Sequence, residues 1–328
     1  MTNSQLHHYV PRFLLCRFGR GKKDQVHTYD KSTGVAFSRA ANKLAARYDY
    51  YDFVFMGEHM TVEPALADVE AKAGKHIARI VKERGLNLVD PIERGELARF
   101  FAVQLVRTPA QLATTADLFA RMEAWLYSEG MPESYSAPDP HVGEGENAER
   151  AMMARRIANA PADYGQAFVD KDWVLFETDE SHPYLIGDHP LAMYNEKTSE
   201  LRGNLGLMDE GIEIYFPISP RLTLGMLCPS IGNRIHGELG GANKGCHIVD
   251  TTRHHDSSTP LRLLQAMASG SPFAIGGEGS IFFNTLQIRN AERFVFSADG
   301  NFEFLKDMLK NDPTVRQGHR MTEATGKF

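Results

Sequence analysis

Cysteine is scarce in this chain of 328 residues: Cys16, Cys228 and Cys246 lie far apart and form no Cys-x-x-Cys pair. That spacing argues against a disulfide framework and against a thiolate zinc site, and leaves packed thiols as the expectation. Long apolar runs are missing too, none approaching the ~18 residues of a membrane-spanning helix. The opening residues Met1–Gln5 are polar rather than basic and then apolar, so a cytoplasmic protein with no membrane partner is expected. There is no excess of basic charge. A formal net charge of −6 tells against coating nucleic acid by bulk electrostatics, because such binding displaces counterions with a basic surface. A Gly-x-x-x-x-Gly-Lys-Ser/Thr phosphate loop, a His-Glu-x-x-His helix, a Gly-x-Ser-x-Gly elbow, internal repeats and heptads are all absent.

What is present is ordinary globular composition, 42% hydrophobic and 24% charged, in a chain long enough to bury a core unaided. It opens on His7-His8-Tyr9-Val10-Pro11-Arg12-Phe13-Leu14-Leu15, two imidazoles and a proline beside an apolar anchor, read as a strip that precedes any helix. Gln25–Asp30 and Val35–Ser38 flank Lys31-Ser32-Thr33-Gly34 as a hairpin, and Tyr50–Phe55 reads as a further strand. Thr61 is expected to cap a helix closed by Gly85, and Asp90-Pro91 to open a longer one, Ile92–Ser128, bent near Pro109.

Residues 129–147 collect Gly, Pro, Ser and acids and read as a flexible loop, with Asn147 the candidate cap of a helix that Pro161 interrupts. Strands are then expected at Trp173–Thr178, Pro183–Gly187, Ile212–Phe216 and Arg221–Cys228. Helices follow at Pro260–Ala268, Ser280–Arg293 and Phe302–Lys310, with residues 311–328 a flexible tail. Strands and helices gathered in blocks argue one α+β domain over residues 1–328, with a mostly antiparallel sheet region.

Polar residues at positions that should be apolar give the candidate site. On the helix from Thr61, Leu66, Val69, Ala73, Ile77 and Ile80 share a stripe with Glu63 and Glu70. An inward carboxylate must be paired, metal-bound or set in a wet cleft. On the next helix Gln104 projects into the edge of the buried stripe with Arg107 beside it, an arrangement suited to planar anions or to a carboxylate; a structural pair of Arg107 with Glu70 is the simplest alternative. Asp188-His189-Pro190 ends a strand, where reactive groups often project, although Asp before Pro-containing turns is common. Arg12, Arg17, Arg20, Lys22 and Lys23 form the one dense basic run, either a solvated loop or a local nucleic-acid patch. His254-His255-Asp256 and Gly237–Gly245 read as loops, and Gly276-Gly277-Glu278-Gly279 as a turn before a helix that is able to hold an anion.

His8 to Leu15, Tyr29-Asp30-Lys31-Ser32-Thr33-Gly34, Gln104-Leu105-Val106-Arg107-Thr108-Pro109, Gly187-Asp188-His189-Pro190 and Pro217-Ile218-Ser219-Pro220, with Asn284 and Ala291 late in the chain, together resemble the bacterial and phage family of unknown function DUF4238. Gly187 stands where that pattern has Ser. The resemblance implies one compact unit and a shared site, and it implies no reaction.

The leading expectation is a metal-assisted hydrolase of phosphodiester or nucleotide substrates. His8, Glu70, Asp188 and His189 are its catalytic candidates, with His8, Glu70 and Asp188 as ligands of Mn²⁺, Mg²⁺ or Zn²⁺; Arg12, Gln104, Arg107 and Asn284 are placed on the substrate. A non-catalytic nucleotide- or protein-binding sensor, of the kind used in phage conflict, is the alternative.

Overall fold

In the computed structural model, which describes residues 4–87, 89–128, 141, 145–196, 205–238 and 259–318, the opening strip is a strand–helix corner rather than an irregular lead-in. Leu6–His8 form β1, Pro11 sets φ at −54°, and Arg12–Arg17 follow as helix α1. The expected hairpin forms, β2 (Gln25–Asp30) against β3 (Val35–Ala40), with Gly34 at φ 74°, a region that side chains resist. A 3-10 turn, Ala41–Lys43, returns the chain to β4 (Ala46–Tyr48), which lies antiparallel to β1 with His8 opposite Ala46. Strands β5 (Asp52–Phe55) and β6 (Glu58–Thr61) make a second hairpin.

Helix α2 (Glu63–Glu83) buries the expected stripe Leu66, Val69, Ala73, Ile77 and Ile80, and ends on Arg84 at φ 50° rather than on Gly85. Asp90 starts α3 (Pro91–Val106) with a capping box: its carboxylate accepts the Glu93 N–H while Glu93 reaches back to the Asp90 N–H. The long second helix is in fact two. Arg107 and Thr108 break it, and α4 (Pro109–Ser128) begins at the proline, which cannot supply the N–H a continuous helix needs. Every side chain from Phe100 to Ala110 is buried, so the last turns of α3 lie in the core. Helix α5 (Glu146–Val169) packs along it and runs unbroken through Pro161. Gly145, not Asn147, is its cap; the Asn147 amide bonds both backbone groups of Val54 and ties α5 to β5.

The C-terminal half carries β7 (Asp172–Glu177), β8 (Ile186–Gly187), β9 (Ala192–Tyr194), β10 (Glu213–Pro217), β11 (Leu222–Leu227), α6 (Pro229–Glu238), α7 (Thr259–Ser269), β12 (Phe273–Ala274), α8 (Gly277–Asn290), β13 (Phe294–Ser297) and α9 (Glu303–Asn311). Strands β12-β7-β11-β10-β9 form a five-stranded sheet, antiparallel except for β12 on β7. The N-terminal hairpin is completed from the far end of the chain in the order β3-β2-β13-β8. The protein is α+β.

Lys31 locks that closure. Its fully buried ammonium donates to the carbonyls of Ile288, Ala291 and Val315, so the hairpin turn caps the end of α8 and holds the last 3-10 turn, Pro313–Arg316. The segment expected to be a tail therefore begins with packed structure, Val315 being 3% exposed. Residues 319–328, most of the expected loop 129–147, and His254-His255-Asp256 lie outside the described residues. Among the described residues no helix is long and apolar enough to cross a membrane.

Candidate acid–base site at the opening strip

Arg107 is the hub. It is 0% exposed at the end of α3, and its guanidinium bonds the Gln104 side-chain carbonyl through Nε (2.9 Å) and Nη2 (2.7 Å) and Glu70 Oε1 through Nη1 (2.6 Å). Gln104 passes the connection on, donating from its amide to the Tyr9 carbonyl at 3.0 Å. Both residues were expected on substrate. Their donors and acceptors are instead spent inside the protein, because a buried guanidinium needs its N–H groups satisfied where it sits.

The histidines of the strip differ in role. His7 is 2% exposed, stacks on Tyr51 with ring centroids 5.7 Å apart, and accepts the Tyr51 N–H at Nδ1. His8 is half-buried, its backbone carbonyl accepting the Tyr51 hydroxyl at 3.2 Å. The Asn42 backbone of the 3-10 turn lies close to its ring, and Nε2 is buried with no hydrogen-bond partner. Burial holds the imidazole below its ordinary pKa, against the pull of Glu70 and with the push of Arg107 and Arg12, so His8 is neutral at pH 7.

Glu63 and Glu70, two turns apart, share the inner face of α2. Burial, then the nearby Glu70 charge, push Glu63 up to about 7, with Arg107 opposing. The result is a carboxyl that keeps its proton near neutrality beside a carboxylate held in an ion pair, with a neutral imidazole at hand. Glu63 was legible on the stripe but carried no assigned role.

Three of the expected residues, His8, Glu70 and Arg107, do meet, and Arg12 is exposed at the rim with its charge felt at His8. Asp188 does not join them. Its carboxylate accepts the backbone N–H groups of Glu292 (2.6 Å), Arg293 (3.0 Å) and Phe294 (3.0 Å), which shapes the turn into β13. Burial pushes it up to about 6 while those N–H groups pull it down. The expected metal trio His8, Glu70 and Asp188 is accordingly broken, and among the described residues no group of three or more His, Cys, Asp or Glu side chains is placed to hold a metal ion.

His189 is a core residue, 6% exposed, its Nδ1 bonded to Thr108 Oγ1 at 2.6 Å across the α3–α4 break. Asn284 spends its amide on Leu185 N–H and the Pro183 carbonyl, clamping the approach to β8 from α8. Gly187 belongs to the same contact: a Cβ there would sit 2.9 Å from both the Ala291 Cβ and the Gln287 carbonyl, so α8 packs where a serine would clash. The glycines in the first turn of α8 also serve packing, Gly277 lying against the His182 ring and Gly279 against Ile275.

Burial lowers His189 to about 4 from an ordinary 6.5. Between those values the unfolded chain takes up the proton first, so stability complete above pH 6.5 is lost as the pH falls toward 4, by about 3 kcal/mol at most. Urea unfolding at pH 7 and pH 4.5 should show a smaller acid loss for His189→Gln than for wild type, by about 1 kcal/mol or more. Equal losses would remove His189 from the acid response.

The molecule is thus an α+β protein whose opening strip brings a neutral imidazole near a carboxylate anchored on a buried arginine. The chain belongs to the DUF4238 family of proteins of unknown function, which matches residues 6–301 and so takes in both the strip and the Asp188 turn. No curated protein and no solved structure matches it.

Proposed function

We propose that the chain is a cytosolic hydrolase of phosphodiester or nucleotide substrates, with His8 as general base and Glu63 as general acid. The His8 imidazole carries this reading: its Nε2 is buried without a hydrogen-bond partner, within reach of the charges of Glu70 and Arg107. A buried acceptor left unsatisfied costs about 1–3 kcal/mol, which a catalytic use would justify. In the proposed step Nε2 removes a proton from water as the water oxygen bonds phosphorus, the ester P–O bond breaks, and the leaving oxygen takes the Glu63 proton. Arg12 balances the phosphate charge, and Glu70, held by Arg107, keeps Glu63 protonated by like-charge repulsion. Hard divalent ions are commonly held by one or two carboxylates together with substrate phosphate oxygens, so Mg²⁺ and Mn²⁺, with Zn²⁺, are arms of the test.

Turnover of nucleotides and short oligonucleotides should fall at low pH, where His8 gains a proton, and again above about pH 7, where Glu63 loses its own. Glu63→Gln should slow the reaction and remove the alkaline limb. An absence of turnover on every substrate, with each ion and with none, would leave the non-catalytic binding module as the better account.

A further inference from the structure

Charge is distributed unevenly along this acidic chain. The first fifty residues hold nine Lys and Arg against three Asp, in a protein whose net charge is −6. The three acids are engaged within the fold: Asp24 accepts the Cys16 thiol, Asp30 is 4% exposed and paired with Arg293, and Asp49 accepts Ser4 Oγ and the Gln5 N–H. Apart from the buried Lys31 and the half-buried Arg17, the cations are turned outward. Arg20, Lys22, Lys23, Arg39, Lys43 and Arg47 are all exposed.

The pairing of strands gathers them. Arg20 bridges Gln25 around the tight turn that carries Lys22 and Lys23, Gln25 lies opposite Ala40, next to Arg39, and the Ala41 N–H bonds the Asp24 carbonyl. Lys43 ends the 3-10 turn that begins there, and Arg47 follows on β4 opposite His7. The Asn42 backbone of that same turn lies close to the His8 ring, so the basic surface adjoins the proposed base. Tyr48, 63% exposed beside Arg47, adds a flat ring at the edge.

We infer that this face docks a single-stranded nucleic acid, its phosphates lying over the Arg20–Arg47 surface and one base stacked on Tyr48, so that the backbone passes His8. The inference rests on the proposed hydrolytic reading for the role of His8, and names the substrate as a polymer. Scattered cations tracking a backbone, with an aromatic for sequence-tolerant stacking, are what strand binding without base readout requires.

The test is fluorescence anisotropy with labelled uridine and thymidine 20-mers at several salt concentrations. The triple variant Lys22→Glu, Lys23→Glu, Lys43→Glu should weaken binding by about tenfold or more, and flatten the plot of log Kd against log salt by about 0.7 for each phosphate the variant no longer neutralises. An equal charge change at the exposed Lys75, Lys82 and Lys310 should do far less. Tyr48→Ala should weaken binding by about tenfold, and a duplex of the same length should bind less well than the strand. His8→Ala should bind as wild type while losing turnover, so a failed hydrolase reading leaves strand binding intact, and a failed docking face leaves mononucleotide turnover intact. No strand binding at 50 mM salt, equal losses in the two triples, or binding to phosphatidylserine vesicles in place of the strand would each overturn it.

Discussion

Glu70→Gln should cost about 3–5 kcal/mol in urea unfolding, because it strands a fully buried guanidinium without its counter-charge. The reason lies in what surrounds Arg107. Gln104 satisfies two of its donors but brings no charge, and the Gln104 amide is already committed to Tyr9. Arg107→Met should also destabilise, leaving the Gln104 carbonyl buried and the strip less firmly tied to α3. The double variant should then lose less than the two single losses combined, since with both charges gone no ion is left unpaired. Strictly additive losses would show that Arg107 and Glu70 do not act as a pair.

His8→Ala should reduce turnover by about 100-fold or more with little change in melting temperature, the size expected of a positioned proton acceptor. Stability should be spared because the His8 Nε2 makes no hydrogen bond, while the backbone pairing of His8 with Ala46 and Tyr51 does not depend on the side chain. His7→Ala serves as the contrast. It removes a 2%-exposed ring stacked on Tyr51 together with the acceptor of the Tyr51 N–H, so its effect should fall on stability first. If His8→Ala melts as early as His7→Ala, the imidazole is scaffold and the general-base role fails. If His8→Ala keeps full turnover, the same role fails for the opposite reason.

Local grammar was readable wherever a short-range rule decided the outcome. The β2–β3 hairpin follows from the glycine at φ 74°, the start of α3 from Asp90, Pro91 and Glu93, and the buried stripe of α2 from its spacing. The two inward carboxylates of α2 were legible on the same grounds, as was the prospect that Arg107 would pair with Glu70. The short strands β1, β4, β9 and β13 were not legible as strands, because three or four residues carry too little periodicity and their partners lie far along the chain. Asp188 looked like a reactive group for a related reason. Its carboxylate is consumed by three N–H groups from residues more than a hundred positions away, and no local pattern announces such a partner.

By itself the sequence determined the α+β class, the places where chain direction and element type change, and the identity of the imidazoles and carboxyls available for chemistry, since these depend on neighbours within a few residues. Only the tertiary structure decided which of those groups remain free to act. Burial and hydrogen bonding absorbed Asp188, His189, Gln104 and Asn284 into the scaffold, because a buried polar group must find a partner wherever packing places it. The same packing left the Nε2 of His8 without a partner and raised Glu63 to about 7.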